Sequence, residues 1–232
     1  GEDHTIVLAQ TGSVWTWGHG ARFCLGHGDD TDKWVPTQVA DEYFAGLFIA
    51  TVAASAAYSV AVTVGGHVWT WSTSRWGCLG HSGVEVIPRA AQIDCCCFCC
   101  SPVVMVAAGS LHVAAVTQDG ALYTWGNNDY YQLGQGDDVT KRSPCRVALQ
   151  NKLCALQNTL CVFEDASVLM AACGSRHTLA LTKDGRVWTW GCGEWGLLGH
   201  NDEEERMEPT RVCEDAFSGI QVVLVGAGRG HI

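Results

Sequence analysis

Val103-Val104-Met105-Val106-Ala107-Ala108-Gly109-Ser110-Leu111-His112-Val113-Ala114-Ala115-Val116-Thr117-Gln118-Asp119-Gly120-Ala121-Leu122-Tyr123-Thr124-Trp125-Gly126 is the stretch on which the fold turns. Val103 to Val106 is a short β-branched run, and Gly109 breaks it. His112 to Thr117 is a second short apolar run, stopped by Asp119-Gly120, a hairpin turn signal. Ala121 to Trp125 predicts a third strand, ended by Gly126. A polar loop containing Leu133-Gly134 follows, and Ser143 to Val147 predicts a fourth strand. That strand contains Pro144, which a sheet tolerates at its edge and not at its centre.

The same series recurs along the chain. With His4, Tyr58, His112, His177 and His231 in one column, the spacings are 54, 54, 65 and 54 residues. Eight residues on stand Gly12, Gly66, Gly120 and Gly185. Aromatic pairs follow at Trp15/Trp17, Trp69/Trp71, Tyr123/Trp125 and Trp188/Trp190, and account for seven of the ten tryptophans. Then come Leu25-Gly26, Leu79-Gly80, Leu133-Gly134 and Leu198-Gly199, and a proline at 36, 88, 144 and 209. Val39, Ile93, Val147 and Val212 close the units. The long spacing reflects extra residues within 149–167, after the closing valine, so they belong to a connection between units. Four short strands about every 50 residues predict an all-β fold, a β-propeller of four blades. The repeats divide as 1–54, 55–108, 109–173 and 174–227, with a fifth beginning at 228–232.

Composition narrows the function classes. The chain has 232 residues, 47% of them apolar, which excludes wholesale disorder. Its net charge of −10 argues against direct nucleic-acid binding, which needs clustered Lys and Arg. Residues 43–74 carry no Asp, Glu, Lys or Arg, and Ala45–Val64 would pass a hydropathy scan as a spanning helix. Repeat registry overrules that reading, because the stretch contains the same short strand elements as its neighbours, and no membrane association is expected. Thirteen cysteines without a signal peptide or a glycosylation sequon predict a reducing, intracellular setting, cytoplasmic or nuclear.

These residues resemble a known family. The series Gly-x-x-His-(Thr)-x-Ala-Leu/Val-Thr-x-x-Gly-x-Val-Trp-x-Trp-Gly…Leu-Gly-His…Pro is similar to the regulator of chromosome condensation repeat, and residues 174–200 carry it in its fullest form. The resemblance covers essentially the whole chain. It implies a β-propeller that closes with seven blades in the family, so that four units are a segment of a ring about three repeats short. End blades of an open ring expose strand edges, and the segment alone is expected to be poorly soluble or oligomeric. The second unit departs most, with Ser55 and Tyr58 in place of Gly and His, and Ser72 in place of the glycine after the aromatic pair. In the first unit Phe23 stands where the family prefers glycine.

No residue set calls for catalysis, a cofactor or a metal. His4, His112, His177 and His231 recur once per blade, so they are distributed around a ring and are assigned structural roles. His27, His81 and His200, after Leu-Gly, are read the same way. Gly191-Cys192-Gly193-Glu194-Trp195-Gly196 has dinucleotide-fingerprint spacing but no helix pattern behind it. Cys95-Cys96-Cys97-Phe98-Cys99-Cys100 lacks the distant second pair of a zinc site and is read as a small apolar connection, inert when buried, with lipidation or redox sensitivity as the alternative.

The acids are more informative. Asp29, Asp30, Asp32, Glu85, Asp137, Asp138, Asp202, Glu203, Glu204 and Glu205 are ten of the 24, all at one loop position of the repeat. They predict a negative rim on one face of the disc, suited to a basic partner, with the alternative that they merely solubilise turns. Trp76, Tyr130 and Trp195 recur in the preceding loop as candidate anchors, or as packing between blades. The expected function is protein–protein interaction within a larger regulatory protein, without chemistry of its own. The resemblance supplies alternatives: nucleotide exchange on a Ran-type small GTPase, or substrate recognition for a HECT-type ubiquitin ligase. Light sensing as in the plant ultraviolet-B receptor would place tryptophans in Gly-Trp-x-His-Thr motifs, whereas here most lie in the Trp-x-Trp strand.

Overall fold

A computed structural model describes residues 1–56, 58–149, 166–213, 217 and 220–228. The first sheet has three strands in the order β1 (His4–Leu8), β2 (Val14–Gly18), β3 (Lys33–Gln38). The second is β4 (Ile49–Ala54), β5 (Tyr58–Thr63), β6 (Val68–Thr73), β7 (Val86–Gln92). The third is β8 (Val103–Ala108), β9 (His112–Thr117), β10 (Leu122–Gly126), β11 (Lys141–Val147). The fourth is β12 (Val168–Cys173), β13 (His177–Thr182), β14 (Val187–Gly191), β15 (Arg206–Arg211). Every pairing is antiparallel between consecutive strands, and the described helical residues form only short 3-10 turns. Ala45–Val64 is therefore mostly β4 and β5, and no helix among the described residues is long and apolar enough to cross a membrane.

Strands β4, β8 and β12 each precede the repeat column, so every full sheet takes its first strand from the end of the preceding sequence period. β4 packs beside β1, β8 beside β4 and β12 beside β8, which sets the sheets side by side around an axis. All side chains of β5 and β9 are buried. The last strand of each sheet is its outer edge, where Pro36, Pro88, Pro144 and Pro209 remove no ladder donor that a neighbour needs. Each outer strand also slips register against its partner at the same place, between Thr16 and Gly18, Thr70 and Ser72, Thr124 and Gly126, or Thr189 and Gly191.

After an outer strand the chain returns toward the axis through a short turn. In Asp41–Phe44 the turn drives Phe44 edge-on against Trp69 and Trp71, both at 5.8 Å. In Cys95–Phe98 it drives Phe98 against Tyr123 at 5.3 Å and Trp125 at 6.0 Å. Each phenylalanine wedges into the aromatic pair of the following sheet, a geometry that suits the ring quadrupoles. Of the third connection, residues 150–165 lie outside the described residues.

Candidate functional site

The recurring residues meet at the boundaries between sheets. Trp71 Nε1 donates to the Cys24 carbonyl at 2.9 Å, Trp125 Nε1 to that of Cys78 at 2.8 Å, and Trp190 Nε1 to that of Gln132 at 2.9 Å. Each indole thus reaches from one blade into the loop of the blade before. Trp71, Trp125 and Trp190 are fully buried, whereas Trp17 of the first sheet is part-exposed.

Beside two of these indoles lies a histidine. His4 Nε2 is 2.8 Å from Ser59 Oγ, and His112 Nε2 is 2.8 Å from Thr178 Oγ1. Ser59 donates its hydroxyl hydrogen to the Cys24 carbonyl at 3.0 Å, and Thr178 donates to that of Gln132 at 2.7 Å. A hydroxyl has one hydrogen, so the ring must donate at Nε2, which fixes a neutral tautomer with Nδ1 bare. Burial holds His4 down to about 4 and His112 to about 3, so both rings are uncharged at neutral pH. The Nδ1 edge lies against a main chain: a Cβ on Gly1 or Gly109 would sit 2.6 Å from the ring of His4 or His112. His231 lies outside the described residues.

The second blade uses a different joint. Tyr58 stands in the histidine column, and Val113 replaces the Ser or Thr that would receive it. The longer Tyr58 side chain instead shares its one hydroxyl hydrogen between two main-chain carbonyls, Gly109 at 2.9 Å and His112 at 2.6 Å. Ser55, in place of the tight glycine, donates to the Ser110 carbonyl at 3.0 Å. Three departures from the repeat pattern are thus one compensated change. His27, His81 and His200 lock their own blades, each 3.0 Å from the hydroxyl of Thr16, Thr70 or Thr189. Phe23 adopts a left-handed φ of 61°, the conformation that makes glycine the easier residue there.

Up-and-down sheets place the first-to-second and third-to-fourth strand turns on one face. That face therefore carries both the Gly109-Ser110 and Gly174-Ser175 turns near the axis and all four acidic loops toward the rim. The axial turns border a cavity of ≈ 310 Å³. Three of the four loops hold part of their charge internally. Asp29 pairs with Lys33 at 3.2 Å, Asp137 with Lys141 at 2.7 Å and Asp202 with Arg206 at 2.6 Å, while Glu85 reaches Arg142 of the next blade at 3.7 Å. Hydrogen bonds from Thr31 and from Lys33 hold Asp29 at about 2. Asp32 accepts from the Gly20 N–H at 2.9 Å, and Glu204 lies 3.5 Å from Arg206. Asp30, Asp138, Glu203 and Glu205 are exposed and make no ion pair among the described residues.

The aromatic candidates divide. Trp195 is 73% exposed and Trp76 45%. Tyr130 is covered by the Arg176 guanidinium, 4.4 Å from its ring centre, so it links the third and fourth blades. A residue missed in the sequence joins the exposed pair: Trp34, at the start of β3 beside the first acidic loop, is 91% exposed. The signal was available, since Trp34, Trp76 and Trp195 are the three tryptophans outside the Trp-x-Trp strand.

On the opposite face, the reading of the cysteine run as a buried connection is overturned. Cys95, Cys96, Cys99 and Cys100 are exposed, and only Phe98 is buried, because the turn needs just one apolar anchor. The described cysteines are all free thiols.

Four sheets in sequence order, joined by indole-to-carbonyl pegs and bearing their acidic loops on one face, define a β-propeller repeat domain. Residues 11–62, 119–181 and 184–232 match the Regulator of chromosome condensation (RCC1) repeat, as do the shorter stretches 103–132 and 171–194 in a second form of it. The chain belongs to that family. It is 33% identical over 239 residues to the E3 ubiquitin-protein ligase HERC2 of Mus musculus, covering 98% of this chain and 4% of HERC2. It is 33% identical over 234 residues to the ultraviolet-B receptor UVR8 of Arabidopsis thaliana, covering 100% of this chain and 48% of UVR8. Among solved structures it superposes on Prp20p of Saccharomyces cerevisiae with a TM-score of 0.76 at 23% identity, over 99% of this chain and 52% of that one. The chain thus spans about half of UVR8 and Prp20p and a small part of HERC2.

Proposed function

We propose that this propeller is a docking domain that binds a basic segment of an intracellular protein partner across its acidic-loop face. One observation carries the reading: the face keeps Asp30, Asp138, Glu203 and Glu205 outside any ion pair of the described residues, beside exposed Trp76 and Trp195. Carboxylates on a rigid rim steer a cationic partner, and exposed indoles supply apolar anchors at low entropic cost. Recognition is the task assigned to the chain, and any chemistry belongs to the polypeptide that carries it. Relatives support a recognition role: HERC2 is named a ubiquitin ligase, and Prp20p was solved in a study of its binding to Gsp1p and histones.

Core histones serve as a basic probe. Binding should weaken with rising salt and fall about tenfold or more when Asp30, Asp138, Glu203 and Glu205 are all changed to Lys. Salt-sensitive binding that survives all four changes would sink the proposal. Stimulated nucleotide release from a Ran-type GTPase would replace docking by exchange.

A further inference from the structure

We propose that the Cys95–Cys100 turn is a binding site for a thiophilic d10 metal ion, Zn(II) or Cu(I), held by the thiolates of Cys95, Cys96 and Cys100. Among the described residues these form the one group of three or more potential ligands whose donor atoms all lie within 4.8 Å of one another, and all three are exposed. Separations of that order need only a small contraction to close around one ion with metal–sulfur bonds of about 2.3 Å. Each thiol releases its proton to solvent on binding and no electron is transferred. Three thiolates complete a trigonal Cu(I) site, or give Zn(II) three of four donors with solvent as the fourth.

The backbone explains how neighbours in sequence become neighbours in space. Asp94 caps the turn, its carboxylate accepting from Cys96 N–H at 2.9 Å. Cys99 and Cys100 are left-handed, with φ of 51° and 60°, and Cys100 N–H returns to the Cys95 carbonyl at 3.2 Å. That closure folds Cys100 back over Cys95.

The repeat itself shows that the fold does not ask for cysteine here. Asp41-Glu42-Tyr43-Phe44-Ala45-Gly46 stands at the same distance from the closing Val39 as Cys95 to Cys100 from Ile93. It makes the same turn, with Ala45 at φ 55°, Gly46 at φ 69°, and Gly46 N–H on the Asp41 carbonyl at 3.1 Å. A third copy follows Val212 as Glu214-Asp215-Ala216-Phe217-Ser218-Gly219 in sequence. Phenylalanine is common to all three, and two of them end in glycine, the residue that enters the left-handed region freely. In the second copy every position except the phenylalanine is cysteine, including the left-handed end where a side chain is a steric burden. Cys97 packs against the core, but the four exposed thiols around the phenylalanine meet no demand of packing, and soft-metal ligation is the chemistry that gathered thiolates perform best.

Metal-binding to the fully reduced 232-residue chain under anaerobic conditions tests this. Co(II), as a reporter for Zn(II), should give thiolate-to-cobalt charge-transfer absorption, and Cu(I) should be won from a chromogenic chelator. One arm or the other should saturate at about one ion per chain. The triple variant Cys95→Asp/Cys96→Glu/Cys100→Gly, which restores the residues of the first-blade turn, should melt like the parent and bind about tenfold more weakly or worse. Cys97→Ala/Cys99→Ala should bind as the parent does. Alkylation of the loaded parent, read by mass spectrometry, should show Cys95, Cys96 and Cys100 protected, a readout that needs no variant to fold. No ion retained in either arm, undiminished binding by the triple variant, equal loss in the double variant, or protection of other cysteines would each overturn the proposal.

Discussion

Trp190 Nε1 lies 2.9 Å from the main-chain oxygen of Gln132, which also receives the Thr178 hydroxyl at 2.7 Å. Two donors from the fourth blade therefore converge on one acceptor of the third. Cys24 is served in the same way by Trp71 and Ser59, but the Cys78 carbonyl receives Trp125 alone, because Val113 carries no hydroxyl.

That asymmetry orders three substitutions. Trp→Phe at 71, 125 or 190 shrinks the ring similarly in each case, but only Trp125→Phe leaves a buried carbonyl without a side-chain donor. Urea unfolding should show Trp125→Phe as the most damaging, by about 1–3 kcal/mol over Trp190→Phe. Equal losses would mean that the indole hydrogen bonds contribute little beyond packing.

The Tyr58 joint should behave as a unit. Tyr58→His gives up bonds to the Gly109 and His112 carbonyls and presents Nε2 to Val113, which cannot accept it. Adding Val113→Thr and Ser55→Gly recreates the joint seen at His112. The triple variant should recover at least about 1 kcal/mol of the stability lost by Tyr58→His, measured by denaturant titration. Strictly additive losses would contradict the coupling.

Close approach of ring and main chain makes Gly109 and Gly174 intolerant. A Cβ on Gly109 would meet the Gly174 carbonyl oxygen and the His112 ring at 2.6 Å, and one on Gly174 the His177 ring at 2.2 Å. Either change to Ala should cost about 1–3 kcal/mol. Gly226→Ala, with nothing within 4 Å, should be near neutral in the same calorimetric scan.

Neutral buried histidines give the fold an acid-sensitive edge. His112 is lowered to about 3 and His4 to about 4 by burial, below the ordinary 6.5 of the unfolded chain. Above pH 6.5 both states are neutral and stability is complete. As pH falls from 6.5 toward 3, the unfolded chain takes up protons that the folded one refuses, and stability drains away. The urea midpoint should fall between pH 7 and pH 5, a window above the range in which carboxylates such as Asp29 titrate. His112→Gln should reduce that fall, and an unchanged slope would assign it to other groups.

Much of this architecture was readable before any coordinates. In the third blade the runs starting at Val103, His112, Ala121 and Ser143 become β8 to β11 with small shifts at their ends. The repeat was legible because each recurring residue serves one joint: tryptophan as peg, histidine as donor, glycine where the ring presses on the backbone. What escaped was contextual. Trp34 escapes a repeat-based reading because it stands in none of the recurring columns. The cysteine run looked buried because cysteine packs as a small hydrophobe, whereas the turn buries only Phe98. Comparison with Asp41–Gly46, at the same place after Val39, would have exposed it.

The peg-and-carbonyl joint also bears on how such chains grow and shrink. Each standard unit carries both halves of the connection, a tryptophan for the blade behind and an accepting loop for the blade ahead. A whole period can therefore be duplicated or excised in frame without orphaning a contact. The second and third blades are the exception, because Tyr58 fits Val113 and the third blade's carbonyls and nothing standard. Gain or loss of either blade alone would orphan that joint, so recombination in related chains is expected to respect the seam.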